Sequence, residues 1–350
     1  MKRFLMCAVA AAVTLSALMV PTPAQAQEKK VRAQMGWVFP STFGLLGPAQ
    51  ASLVEELRKV SGGSIDVKGF EPGALVPAGQ YLDAVASGSL DMASTVAGFF
   101  TGKDIAFALY ASMPFGPDAG EYMAWIKYGG GEKLMKELHA KYNVEAIPCG
   151  MIAPEASGWF RKEIKTLDDL KGLKMRFFGL GANVMQKMGV STQTLAPGDI
   201  FQSLQLGTID ATEFSMPVAD LTLGLHQVAK FYYFPGWHQQ ATIISLYINP
   251  KKWAEFSATQ KAQIQSVCDA NILKMFAEGE AVNFKAMKEI QAKGVALKKW
   301  PKPFMDAYEK AWDEVAAEQS AKSPEFKKGW DSYTAFRKDY AIWKDMQTLK

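Results

Sequence analysis

Cysteine and histidine are scarce in this chain, at three of each in 350 residues. So few exclude a zinc-cluster fold and a disulfide-stapled scaffold. Catalytic signatures are missing too: the sequence holds no Gly-x-Ser-x-Gly elbow, no Ser-x-x-Lys, no His-Glu-x-x-His and no P-loop. Nor is there an excess of one charge. Lys and Arg number 39 against 35 Asp and Glu, and no basic run exceeds three residues, which argues against a nucleic-acid partner. What is present is an ordinary folding composition, 49% apolar and 21% charged, long enough for two cores or one large one.

The one long apolar run lies at the start. Lys2 and Arg3 precede an uncharged stretch from Phe4 to Val20, then Pro21, Pro23 and Ala24-Gln25-Ala26. This layout predicts a secretory signal peptide over residues 1–26, cleaved before Gln27, with the mature protein in the periplasm. Cys7 sits too early for a lipid-attachment box, and no later segment could span a membrane. Taking Lys2 and Arg3 off the net charge of +4 leaves +2. Cys149 and Cys268 remain in an oxidising compartment and could pair. Cys268, however, falls on the helical apolar stripe Ile264, Cys268, Ile272, Phe276, where a buried free thiol is the expected reading.

Alternation at Val31, Ala33, Met35 and Trp37 predicts a strand, and from Leu46 the spacing turns helical until Ser61-Gly62-Gly63. Strands follow at 65–69 and 90–95, with a helix at Ala78–Ser87 between them. A second unit of the same kind runs from about Gly158 to Phe234: strands at 159–160, 174–178 and 209–214, helices at 182–188 and 199–206. Strands alternating with helices imply mostly parallel sheets covered on both faces. Leu75-Val76-Pro77, a helix, then Gly88-Ser89-Leu90-Asp91-Met92 is echoed by Leu195-Ala196-Pro197, a helix, then Gly207-Thr208-Ile209-Asp210-Ala211. Such an echo reads either as chance or as two lobes built on one unit, with strand ends aimed at a shared cleft. Ser257-Ala258-Thr259-Gln260 has the form of a capping box, and helical periodicity continues to Lys293 before Gly294, long enough to run along both lobes. Trp330, Tyr333, Phe336, Tyr340 and Trp343 form an aromatic stripe on a last helix, suited to packing on the chain's own body or, alternatively, to a dimer contact.

Among the titratable residues, His139 lies in a charged helix end and reads as solvated, and His226 reads as structural. Arg176 lies in the apolar segment Leu173–Phe178, and a buried guanidinium needs an anion. Its planar fork suits a carboxylate, either a ligand's or one from the protein. Glu155 and Glu213 sit among small or apolar neighbours and are the candidate protein carboxylates, unless Glu155 points to solvent. Two acids and one Arg around an anionic ligand leave net repulsion that a proton or a cation would relieve. All-oxygen coordination suits Na⁺ or Ca²⁺ better than zinc.

Gly158-Trp159-Phe160-Arg161-Lys162-Glu163-Ile164, Leu170–Arg176, Gly207–Glu213 and Tyr233-Phe234-Pro235-Gly236-Trp237-His238 together resemble the solute-binding proteins of tripartite ATP-independent periplasmic (TRAP) transporters, in particular the branch that binds 2-oxo acids. Phe70–Pro77, Pro114-Phe115-Gly116 and Asp331–Arg337 fit the same pattern, so the likeness covers essentially the whole mature chain in order. The resemblance implies an α/β, two-lobe periplasmic binding protein fold of type II, its lobes joined by hinge strands and a long spanning helix. Lobe I would comprise 27–152 and 241–256, lobe II 153–240, and the spanning and C-terminal helices 257–350.

It further implies a non-enzymatic protein that closes over a small organic acid, a 2-oxo or 2-hydroxy monocarboxylate, and delivers it to the small and large membrane permease subunits. By the same resemblance Arg176 clamps the carboxylate. Glu213 and the next residue, Phe214, hold a bridging cation together with Glu155, and Gln239 is a further candidate for it. Trp37, Phe99 and Phe100 match pocket-wall positions alongside Phe214, and dimers form through the C-terminal helices. This chain departs from the branch in having Glu155 for a usual Gln and Phe214 for a usual Trp. The extra negative charge would favour Ca²⁺ over Na⁺ or a different ligand. Other functions open to the same residues are a ligand sensor, and a hydrolase or lyase using the two carboxylates.

Overall fold

The computed structural model describes residues 28–347. The leader read at residues 1–26 lies outside them.

Eleven strands form two sheets among the described residues. The first takes β1 (Val31–Trp37), β2 (Ile65–Phe70), β3 (Met92–Thr95), β4 (Glu145–Ile152) and β10 (Thr242–Ile248), in the order β2-β1-β3-β10-β4. The second takes β5 (Gly158–Phe160), β6 (Lys174–Arg176), β7 (Ser191–Gln193), β8 (Ala211–Thr212), β9 (Phe231–Phe234) and β11 (Ala296–Lys299), in the order β11-β9-β5-β8-β6-β7. Residues 153–157 carry the chain out of the first sheet and residues 235–241 carry it back. Parallel pairing holds for β1 with β2 and β3, and for β6 with β7 and β8. The exceptions to the expected parallel sheets are β10 and β5, each antiparallel to both neighbours. The cause is the crossing itself: β4 ends at the hinge and β10 begins there, so the two must run in opposite directions.

The sequence echo falls on equivalent parts of the two sheets. In the first lobe it spans a 3₁₀ turn at Ala78–Gln80, a helix at Tyr81–Ser87, and β3; in the second it spans a helix at Pro197–Leu206, and β8. Gly88 and Gly207 end these helices at φ 81° and 75°, the left-handed region that favours glycine. The Asp91 carboxylate accepts the Gln34 N–H of β1 at 2.8 Å, and the Asp210 carboxylate accepts the Lys174 N–H of β6 at 3.0 Å. One aspartate thus makes the same bond in each lobe. The strand expected over 209–214 is restricted to Ala211–Thr212, because the chain then turns away to place Glu213.

Eleven α-helices are described. The first is α1 (Leu46–Val60), α2 is Tyr81–Ser87, and α3 (Ala119–Tyr128) and α4 (Gly131–Lys141) back the first sheet. In the second lobe lie α5 (Gly179–Lys187), α6 (Pro197–Leu206) and α7 (Pro217–Thr222). After the short α8 (Pro250–Glu255), the capping box of Ser257 and Gln260 opens α9, Ala258–Ala292. This helix packs along β4 and α1 in one lobe and α7 in the other, where the Asn283 side chain accepts the Val218 N–H at 3.1 Å. Gly279 marks the close approach, since a Cβ there would lie 2.9 Å from that of Ala153 at the crossing. Two further helices, α10 (Lys302–Lys322) and α11 (Pro324–Gln347), divide between lobes: α10 lies on α5, with Lys187 bridging to Glu318 at 2.7 Å, and α11 on α3 and α4. The aromatic stripe packs on the chain's own body at Trp330, Tyr333 and Phe336, with the Tyr333 hydroxyl donating to Glu121 at 3.1 Å. The stripe's last member, Trp343, is exposed instead, as is its neighbour Ile342.

Two sequence expectations are corrected. Cys268 is buried on its stripe, but instead of being a free thiol it forms a disulfide with Cys149 of β4. The partner is 119 residues away, so no local pattern announces it. His139 is not solvated but fully buried: its Nδ1 donates to the Met135 carbonyl at 2.7 Å and its Nε2 accepts the Tyr247 hydroxyl at 2.8 Å. Helix α4 presents that side to the sheet while its charged neighbours face water.

Two outcomes follow for stability. Replacing both Cys149 and Cys268 by Ala should lower the unfolding free energy by about 2–5 kcal/mol in denaturant titrations, because the cross-link closes a long loop. Burial pushes the His139 pKa down to about 4. At this site the unfolded chain therefore binds more protons between about pH 4 and 6.5, and the contribution of His139 to stability falls as pH drops through that window, by on the order of 3 kcal/mol. Burial raises the Asp220 and Glu155 carboxyls, which act with the opposite sign, so the readout is the difference in denaturant midpoint between the wild type and His139→Gln, which should shrink as pH drops from about 6.5 to 4.

Candidate functional site

The strand ends that face the cleft carry the charged groups. Arg176 ends β6, Glu213 follows β8, and the two crossings bring in Glu155 on one side and His238 and Gln239 on the other. The crossings touch: the Gly236 N–H donates to the Glu155 carbonyl at 3.0 Å, and a Cβ on Gly236 would lie 2.2 Å from that oxygen. Only glycine fits there, and the contact fixes where Glu155 sits.

Arg176 Nη1 donates to Glu213 Oε1 at 2.6 Å and to the Glu213 carbonyl at 2.7 Å. Glu213 Oε1 also accepts the Phe178 N–H at 2.5 Å. Glu155 Oε1 accepts Gln239 Nε2 at 3.2 Å and the Ser215 hydroxyl at 3.4 Å. His238 Nε2 stands 3.4 Å from Glu213 Oε2 and 3.9 Å from Glu155 Oε2. All of these side chains are buried. Several of their atoms have no hydrogen-bond partner: Glu155 Oε2, Glu213 Oε2, Gln239 Oε1, Arg176 Nε and both ring nitrogens of His238. Glu155, Glu213 and His238 can each aim one ligand atom within 4.8 Å of the others.

Electrostatics sharpen the picture. Burial and the neighbouring Glu213 and Asp220 push the Glu155 carboxyl well above its usual range, against the opposing pull of Arg176. Asp220 is raised to about 7 by burial, although Trp159 Nε1, the Tyr232 hydroxyl and the Ser215 N–H all donate to it. Those three bonds hold the turn after Glu213. Three buried acids around one guanidinium is a deficit that a proton or a cation must offset.

Apolar groups close the site. Phe39, Val96, Phe99 and Ile152 from the first lobe and Phe178 and Phe214 from the second line a cavity of about 20 Å³ around Glu155, Arg176 and Gln239. Phe214 lies 5.4 Å from Phe43, 6.5 Å edge-on from Phe39 and 5.5 Å under the Arg176 guanidinium, while Phe99 meets Phe178 at 4.8 Å. Of the residues expected from sequence, Arg176, Glu155, Glu213, Phe214, Phe99 and Gln239 come together here. Trp37 and Phe100 do not line the cavity. Trp37 ends β1 on the face that packs against Gly69, and Phe39, two residues on, is the side chain that reaches the site. Phe100 adjoins Phe99 on a 3₁₀ turn and so points away, onto Phe107 and Tyr247. Sequence reasoning missed Phe39, Phe178, Ser215, His238 and Asp220. Phe178 lies two residues beyond Arg176 and His238 beside Gln239, so proximity to the candidates was the available signal.

The family described as "Bacterial extracellular solute-binding protein, family 7" matches residues 43–323. A monocarboxylate 2-oxoacid-binding periplasmic protein of Nostoc sp. is 33% identical over 325 residues, 93% of this chain and 89% of its own. A solved TRAP transporter solute-binding protein from Bordetella bronchiseptica, a mixed-occupancy dimer with copurified calcium and picolinate in one active site, is 34% identical and covers 91% of this chain and 95% of its own, at a TM-score of 0.89. Another, from Pseudoalteromonas atlantica with bound sodium and pyruvate, is 30% identical over 91% and 97% respectively, at 0.87. The chain belongs to the bacterial extracellular solute-binding protein family 7, and within it to the TRAP transporter solute-binding proteins.

Proposed function

We propose that this protein captures a small monocarboxylate bearing an oxygen on C2, a 2-oxo or 2-hydroxy acid, jointly with a cation, and hands it to the TRAP membrane permease subunits. The observation that carries the reading is the set of orphaned buried oxygens, Glu155 Oε2, Glu213 Oε2 and Gln239 Oε1, on side chains grouped with Arg176 at one small cavity. Unpartnered carboxylate oxygens in a buried cavity are costly. They are the donor set that a hard cation takes, so the residues present fit a bound Na⁺ or Ca²⁺.

Glu155, Glu213 and Gln239 would hold the cation, with the Phe214 carbonyl a further ligand; when bound, the ion neutralises the acids and offers its open positions to the carboxylate and C2 oxygens. Arg176 has its Nη1 committed to Glu213, and its Nε, which has no partner, is left to donate to an incoming carboxylate. Glu213 serves both partners, one oxygen holding the guanidinium and the other left for the ion. Phe39, Phe99, Phe178 and Phe214 then exclude water. The relatives support this choice of ligand: the Nostoc protein is named for 2-oxoacids, and the solved structures pair calcium with picolinate and sodium with pyruvate.

The reading is of a binder, not an enzyme. The Ser215 hydroxyl donates to Glu155, the Thr212 hydroxyl to the Glu213 carbonyl, and the Thr242 hydroxyl accepts Gln239 Nε2, so none of the hydroxyls beside the acids is paired with His238 as an activated nucleophile would be. We place the protein in the periplasm, exported through the leader at 1–26. We also propose a homodimer through α11, whose exposed Ile342, Trp343 and Met346 would be covered by a second copy.

Arg176→Lys keeps the charge but loses the fork. It should weaken pyruvate binding at least tenfold in calorimetric titrations; unchanged affinity would remove the clamp. Pyruvate should raise the melting temperature when calcium is present and much less after chelation in sodium-free buffer. Glu155→Gln, one charge fewer, should shift that preference from calcium toward sodium. An equal thermal shift with and without cations would refute the cation's part.

A further inference from the structure

Two observations remain unabsorbed by this reading: the internal repeat and a second cavity. The charged cage offers room for about 20 Å³, on the order of one water-sized group. Next to it lies an apolar cleft of about 410 Å³. Phe99 belongs to the walls of both, and Val38 of the cleft adjoins Phe39 of the cage. The cleft is built from the loops that open the two repeat units. Pro40 and Pro72 line it from the first lobe, and Leu195, Ala196 and Pro197 from the second. Thr194 is the one polar side chain on its wall among the described residues, and no charged residue reaches it.

We infer that this cleft receives an extended apolar substituent on the ligand, so that the protein prefers 2-oxo acids with a chain of several carbons, or an aryl group, over pyruvate. The inference rests on the cage being the carboxylate and cation site. A ligand anchored there by its first two carbons has no space beside the charges, and the route outward passes Phe99. That ring meets Phe178, which lines the cage from the opposite lobe, at 4.8 Å, so Phe99 stands between cage and cleft. A charge-free lining beside an anion site favours what remains of the ligand once the carboxylate is held, an uncharged chain. A dicarboxylate would place its second charge against prolines and leucine with no partner, and is rejected on the same ground. Glycines widen the mouth: Gly79 and Gly198 both line it, and a Cβ at either would meet nothing within 4 Å.

The test is a series of straight-chain acids from pyruvate to 2-oxohexanoate, titrated calorimetrically into the full chain with calcium present. Affinity should rise about two- to fourfold per added methylene as each is taken out of water. Gly198→Leu, which the open space around that residue accommodates, should abolish the gain for 2-oxohexanoate and leave pyruvate within twofold. Gly79→Leu should act in the same direction from the other wall. The inference is overturned if pyruvate binds and affinity is flat or falls with chain length, or if the Leu variants affect short and long acids alike. If no 2-oxo acid of any length binds, the reading of the cage itself fails and this inference falls with it.

Discussion

The ion pair between Arg176 and Glu213, together with the unpaired Glu155 beside it, sets the terms for everything around the cleft. A guanidinium and a carboxylate buried at the ends of adjacent strands repay their desolvation only with good geometry and satisfied neighbours. The structure supplies both through the Glu213 carbonyl and the Phe178 N–H. It then adds a second carboxylate, whose Oε2 faces the His238 ring at 3.9 Å and accepts no hydrogen bond. Left alone, that arrangement pushes Glu155 toward protonation. Completed by a positive ion and a ligand carboxylate, it becomes a balanced network in a low dielectric, where each contact is worth more than in water. On the proposed function, the protein tolerates an unfavourable cage because completing it is the act of binding.

The cage works only if the lobes meet over it, and the architecture limits how they can move. Three kinds of connection join them: the crossings 153–157 and 235–241, the helix α9, and the pair α10 and α11. Glu155, His238 and Gln239 lie on the crossings themselves, so a change in lobe angle alters the distances among the ligating atoms directly. Closure and ligation are in this sense one coordinate. The disulfide fastens α9 to β4 on the first-lobe side. Movement is thereby left to the far half of the helix, where it passes Ala153 and α7.

Much of this was legible beforehand. Arg176 was conspicuous because a guanidinium inside an apolar segment demands an anion, and Glu155 and Glu213 because their neighbours are small or apolar. The echo of Gly, Asp and apolar residues left chance and a shared unit both open, and Asp91 and Asp210 give the shared unit its physical content, one carboxylate tying each strand to the next. Illegible features were those decided across long sequence distances or by a single residue of phase. Cys149 and Cys268 pair across 119 residues. Phe99 and Phe100 differ only in which side of a short turn they occupy, and Trp37 and Phe39 only in where a strand stops. His139 looked solvated because helix charge counts do not say which face meets the sheet.

The two lobes share a repeat but divide the chemistry unequally. Arg176, Glu213 and Ser215 come from the second lobe, and Glu155, His238 and Gln239 from the crossings. At the cage the first lobe contributes Phe39, Val96, Phe99 and Ile152, with Thr242 at the start of the returning strand. On the proposed function, an anion and its cation would therefore be captured on the second lobe and hinge while the cleft is open, where water still solvates the groups not yet paired. The first lobe then adds apolar cover, and its free-energy contribution comes from area removed from water and from strengthening contacts already made. This ordering explains why an apolar lid is adequate. Specificity for charge is decided before closure, and the lid has only to exclude water and to fit the part of the ligand that carries no charge.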